Sequence, residues 1–154
     1  MKKSQELLNK YWKGGLPINP KKVAKLENIK VLPKKDLSGR DLSGELIRMN
    51  DSVVIYYNPG DSIKRQRFTI AHELGHYILG HGSNFCDSKS NFTMSHYDRR
   101  EVDANLFALE LLIPEIAVNV LIKQRKITNA NELCRIFNVS LEAMSFRLKD
   151  LAFI

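Results

Sequence analysis

Only two cysteines, Cys86 and Cys134, occur in the 154 residues, far apart and in no metal-type pair. That argues against a disulfide framework or a cysteine-ligated metal and reads as a reduced, intracellular chain. Long hydrophobic runs are missing too. The opening MKKSQELLNKYWKGG has lysines but no apolar stretch long enough for a signal peptide. The most apolar segment, LFALELLIPEIAVNVLI, is broken by Glu110, Pro114 and Glu115, so it is no membrane span. Acidic residues are scarce at one end only. Residues 1–35 set ten lysines against Glu6 and Glu27, a balance of +8, while the remainder holds fourteen basic and fifteen acidic groups. The net charge of +7 is therefore an N-terminal feature, read as a solvated face and not as a nucleic-acid-binding fold. What is present, 44% hydrophobic and 27% charged residues, suits one ordinary globular domain with a real core.

Along the chain, residues 1–14 have the pattern of an amphipathic helix, with Leu7, Leu8, Tyr11 and Trp12 on one side. INPKKVAKLENI is a second helix with Asn19 as cap and Pro20 at its first position. KVLPK reads as a short strand, and DLSGRDLSG as two tandem turns. ELIRMNDSVVIYYN is a hairpin bent at Asn50-Asp51. Together these segments suggest a small, twisted, partly antiparallel sheet. PGDSIKRQRFTIAHELGHYILGHG is a helix capped by Asp61 or Ser62, followed by a polar loop from Ser83 to about Asp98. REVDANLFALELLI, closed by Pro114, and PEIAVNVLIKQR are further helices, and two short ones meet at a turn around Asn138.

Three of the four histidines fall within TIAHELGHYILGHG. On a helix, residues four apart are offset by only ~40°, so His72 and His76 project side by side and can share one metal ion. Glu73 then points beside the metal. Neutral imidazoles leave zinc a strong Lewis acid that lowers the pKa of a bound water towards ~7, and the carboxylate takes that water's proton.

Two protein ligands are too few, and several residues compete to be the third. His81 is out of register with the metzincin pattern H-E-x-x-H-x-x-G-x-x-H and is read as a helix-end residue serving free carbonyls. Glu101, on the next helix, is the better candidate: its carboxylate can complete a His, His, Glu set with one position open for water. Asn105, one turn on, can accept the other ring N–H of a ligand histidine. Asp103 is the rival acid, about 200° around the helix from Glu101, so both cannot face the metal. Ala104 and Ala108 are small enough to let the two helices approach closely. For the oxyanion, His96, Tyr97 and Tyr77 are all near in sequence; His96, in the polar loop, is the expected donor.

RQRFTIAHELGHYILGH followed by EVDANLFALELLIP resembles the ImmA/IrrE family of intracellular zinc metallopeptidases. VVIYYNPGDSIKRQRF and LCRIFNVSLEAMSFRLKDLAFI support the likeness, which runs from about Val31 onward. The resemblance implies an α+β, zincin-like fold: a short twisted sheet on the active-site helix, with a mainly helical C-terminal half ending in a helix-turn-helix-like pair. The expected division is a metallopeptidase domain over 1–126 and a helical extension over 127–154 packed on it. His72, His76 and Glu101 carry over as metal ligands and Glu73 as general base. Asn105 stands where related enzymes often have Asp. The implied cofactor is Zn2+, with Mn2+ or Fe2+ able to occupy the same set.

The implied activity is cytoplasmic, monomeric, site-specific cleavage of a helix-turn-helix (XRE-type) repressor, releasing genes of a mobile element, a phage or a stress response. The C-terminal pair mixes Glu142 and Asp150 with Arg147 and Lys149, which suits packing or partner docking better than DNA reading. A different class remains as the alternative: a non-catalytic regulatory module whose metal only holds the fold. An intact Glu73 favours the enzyme, since a structural site needs no base. An extended substrate is expected to add a strand along the SVVIYYN arm.

Overall fold

Side-chain caps set most helix starts where the sequence puts them. The computed structural model describes residues 1–81, the backbone of 85–88, and residues 98–154. Helix α1 runs Lys3–Tyr11 and α2 Pro20–Leu26, the latter capped by the Asn19 side chain, which accepts from the Lys22 amide at 3.2 Å. Helix α3, Ile63–Ile78, starts at Ser62, whose hydroxyl accepts from the Arg65 amide. Asp98 caps α4, Arg99–Leu112, and Pro114 begins the short α5, Glu115–Asn119, which continues as a π-helical turn over Val120–Gln124. Asn129 and Ser140 cap α6, Ala130–Phe137, and α7, Leu141–Asp150. Each such cap satisfies an amide that the helix itself leaves orphaned. Asn138 turns the chain between the last two helices in the left-handed region, at φ 52°.

Strands β1 (Lys30–Pro33), β2 (Leu42–Met49), β3 (Ser52–Tyr57) and β4 (Phe85–Ser88) form one sheet in the order β1-β3-β2-β4. The β2–β3 hairpin is antiparallel and turns at Asn50-Asp51, as the sequence indicates, with Asn50 at φ 52°. β1 pairs parallel to β3, and β4 antiparallel to β2, so the sheet is mixed. The α+β, zincin-like architecture expected from the sequence is the one found.

Three local expectations need correction. The supposed polar loop after α3 contains β4, whose four residues are too few to display an alternating pattern. DLSGRDLSG is not two matching turns: its first half lies in a 3-10 helix over Lys35–Arg40, and its second half opens β2. The SVVIYYN arm is β3, which has β1 on one side and β2 on the other, so it offers no free edge for a substrate strand. Its near-continuous apolar character is that of a central strand.

Helix α3 lies across β2 and β3 and packs along α4. Both contacts depend on glycine. A Cβ on Gly44 would overlap Cγ2 of the fully buried Thr69, and one on Gly75 would sit 3.0 Å from Cδ1 of Phe107. Leu46 and Ile55 of the sheet, Phe68 and Leu74 of α3, Leu111 of α4, and Phe137 and Met144 of the C-terminal pair share one core.

Polar ties join the layers. Asn58 is wholly buried just after β3; its amide nitrogen donates to the Leu42 carbonyl, and its Oδ1 accepts from Ser38 and Gly60. Glu110 of α4 accepts from Lys2 at 2.6 Å and Ser4 at 2.8 Å, which fastens α1 to the body. Arg67 of α3 donates to the carbonyls of Phe137 and Asn138, and Arg147 of α7 to that of Ile113. Among the described residues no single helix is long and apolar enough to cross a membrane, and the pair Arg99–Leu112 and Glu115–Gln124 is bent by 50°.

Gly44→Ala tests the tightest of these contacts. Overpacking of this kind costs about 1–3 kcal/mol. For a chain of this size each kcal/mol lowers Tm by roughly 2–4 °C, which thermal denaturation followed by circular dichroism will read.

Candidate metal centre

The helical register of α3 turns His72 and His76 to the same side, towards α4. Their rings meet edge to face, centroids 4.7 Å apart, and both residues are buried, each 1% exposed. Glu101 reaches them from the first turn of α4. Its Oε2 lies 3.1 Å from His72 Nε2 and its Oε1 2.9 Å from His76 Nε2, while the two Nε2 atoms are 3.2 Å apart. Donor atoms of all three residues fall within 4.8 Å of one another, the one such group among the described residues. Burial by itself would raise the Glu101 carboxyl, yet hydrogen bonds with His72 and His76, and their charge, hold it well below the usual carboxylate range.

These residues fit a divalent ion. Zinc bonded to nitrogen and oxygen at about 2.0–2.1 Å in a tetrahedron keeps its donors roughly 3.3 Å apart, close to the separations found here. The chemistry of the set agrees: two imidazole nitrogens and a carboxylate converge on one point, and a shared cation accepts all their lone pairs at once.

The rival acid is turned away. Asp103 Oδ1 lies 3.3 Å from Arg99 Nε, and Arg100 pairs with Asp98, so the neighbouring arginines have partners other than Glu101. Glu73, next to His72, is fully buried against β2; its Cγ is 3.5 Å from where a Cβ on Gly44 would stand. Asn105 is buried one turn beyond Glu101. Of the three oxyanion candidates, His96 and Tyr97 lie outside the described residues. Tyr77 carries the Arg48 guanidinium over its ring, 5.0 Å from the centroid.

His81 stands at the helix end, as the sequence indicates. The His76 carbonyl accepts from the His81 backbone amide at 3.0 Å. The imidazole instead meets His76: the two Nδ1 atoms are 3.0 Å apart. Burial, then the charge of His76, push the His81 imidazole below its ordinary value. The sequence places His81 at the helix end but does not show that its ring meets His76. Gly80, placed to end the helix, was the available signal. The ring of Phe68 lies 6.2 Å from that of His72, at an angle of 30°.

If Glu101 completes the set and Asp103 does not, elemental analysis will separate them. Purified wild type and Asp103→Ala should each carry one metal ion per chain, whereas Glu101→Ala, left with two ligands, should carry none. Equal metal in all three would remove Glu101 from the set.

A family model for the IrrE N-terminal-like domain of the M78 peptidases matches residues 25–149. Over 133 residues the chain is 26% identical to Metallopeptidase ImmA of Bacillus subtilis (strain 168), covering 86% of this chain and 76% of that protein. It is 32% identical over 121 residues to Uncharacterized immunity region protein 2 of Bacillus phage phi105, covering 75% of this chain and 68% of the phage protein. The matched span contains His72, Glu73, His76 and Glu101 with the sheet and helices that carry them, and the chain belongs to the M78 peptidase family as a metallo-endopeptidase with an IrrE N-terminal-like domain.

Proposed function

We propose that this chain is a zinc-dependent, site-specific endopeptidase of the cytoplasm that hydrolyses a peptide bond in a helix-turn-helix transcriptional repressor and so derepresses mobile-element, phage or stress genes. The observation that carries the reading is the convergence of His72 Nε2, His76 Nε2 and the Glu101 carboxylate beside an intact, buried Glu73. The two-nitrogen, one-oxygen set favours zinc over harder cations, which prefer all-oxygen shells. The phage relative is named for an immunity region, which supports a setting beside repressors.

His72, His76 and Glu101 hold the ion, and Asn105, one turn beyond Glu101, steadies the orientation of a ligand. An ion held there would supply Lewis acidity towards the carbonyl and the water. Glu73 does the proton work. It accepts a proton as water adds to the carbonyl carbon and returns that proton to the leaving amine as the C–N bond breaks. Burial of Glu73 against β2 limits the positions its carboxylate can take. The C-terminal pair is poorly suited to DNA, since Arg147, the arginine of its second helix, is 4% exposed and donates inward to the Ile113 carbonyl.

Glu73→Gln is the deciding variant. It should keep the fold and one metal ion per chain while cleavage of repressors encoded beside the gene, followed by gel electrophoresis, drops by about 10²–10⁴-fold. A variant that cleaves like wild type would remove Glu73 as the base. Loss of repression in cells by the uncleaving variant would favour the regulatory-module alternative.

A further inference from the structure

The end of α3 does more than stop the helix. Leu79 donates to the Gly75 carbonyl at 2.9 Å, Gly80 to that of Tyr77 at 3.1 Å and His81 to that of His76 at 3.0 Å. Gly80 stands at φ +74°, in the left-handed region where a side chain is strained. This paired-bond glycine cap folds the chain back so that the second residue beyond the helix end lies over the residue that opens its last turn. In many helices two apolar side chains meet there. Here the pair is His81 and His76, with ring centroids 5.2 Å apart at 64° and Nδ1 atoms at 3.0 Å.

We infer that His81 is a positioning residue for the metal centre, holding His76 by an imidazole–imidazole hydrogen bond that the glycine cap of α3 sets up. The inference rests on the metal reading given above. Its direction follows from chemistry. His76 Nε2 faces His72 and Glu101, so it must present its lone pair there, and the ring proton sits on Nδ1. Nδ1–H then donates to His81 Nδ1, which carries a lone pair, and the proton of His81 is on Nε2. His81 is no fourth ligand, because its Nδ1 meets the edge of His76 that faces away from the metal. Its work is to fix the tautomer and swing of His76 and to make the ligating nitrogen a better donor. Nothing in H-E-x-x-H specifies such a partner; it comes from a residue five positions on that only the helix ending brings back.

His81→Leu and His81→Asn, made in the full chain, separate this role from mere packing. The two side chains have nearly the same shape, but Asn places a carbonyl oxygen at the same bond distance from the backbone as the imidazole Nδ1, and Leu offers no acceptor. Zn2+ affinity would be measured by competition with a chromophoric chelator, alongside thermal unfolding of the metal-free proteins. His81→Leu should bind Zn2+ about 10–100-fold more weakly, as for loss of other partners of a ligating histidine. His81→Asn should recover affinity close to wild type, and the two metal-free variants should unfold together. Unchanged affinity in His81→Leu, or equal weakening in both variants, overturns the inference while leaving the metal site standing. A wild type that takes up no Zn2+ at all overturns the metal reading and this inference with it.

Discussion

Helix α3 has no spare volume on either side, and the candidate site depends on that. Towards the sheet it meets β2 at Gly44, where any side chain would collide with Thr69. Towards α4 it meets Phe107 at Gly75. The two glycines let three layers approach until a carboxylate on one helix reaches two imidazoles on the other. Their separations, 2.9 to 3.2 Å, leave little room for misplacement. A shift of even one ångström between the helices would pull the set away from the tetrahedral spacing of a single small cation.

Such closeness has an electrostatic cost. His72, Glu73, His76 and Asn105 are polar and almost wholly buried, in a region otherwise lined by Phe68, Leu74 and Phe107. Burying polar groups is unfavourable unless partners or a cation compensate. The surrounding apolar core therefore supplies the stability that the site consumes, and the same low-polarity setting strengthens each interaction made within it. A division of this kind, with an apolar core carrying a buried polar cluster, is common where chemistry is done.

Much of the fold and the centre of the site were legible in the sequence, because short-range chemistry encodes them. Asn19 and Ser62 act as caps through their own side chains, and Asn50-Asp51 bends a hairpin between two matched arms. Helical periodicity alone aligns His72 with His76, and the angle between Glu101 and Asp103 separates ligand candidate from surface ion pair. What escaped was set by contacts distant in sequence. β4 is recognisable only by its pairing with β2. Gly44 looks like a turn glycine within DLSG but is required by a helix that arrives 25 residues later at Thr69. The inner position of β3 needed β1 to be placed beside it, and His81 needed the three-dimensional course of the helix ending.

The arginines that fasten the C-terminal helices have a mechanical consequence. Arg67 belongs to the helix that bears both histidines, yet it donates to the last carbonyls of α6. Arg147 of α7 holds the carbonyl of Ile113, the residue that ends the helix bearing Glu101. Each half of the donor set is thus tethered to the same pair of terminal helices, one through the half-buried Arg67 and one through the buried Arg147. A displacement of that pair would pull on both helices that carry the donors, one on each side of the histidine–carboxylate cluster.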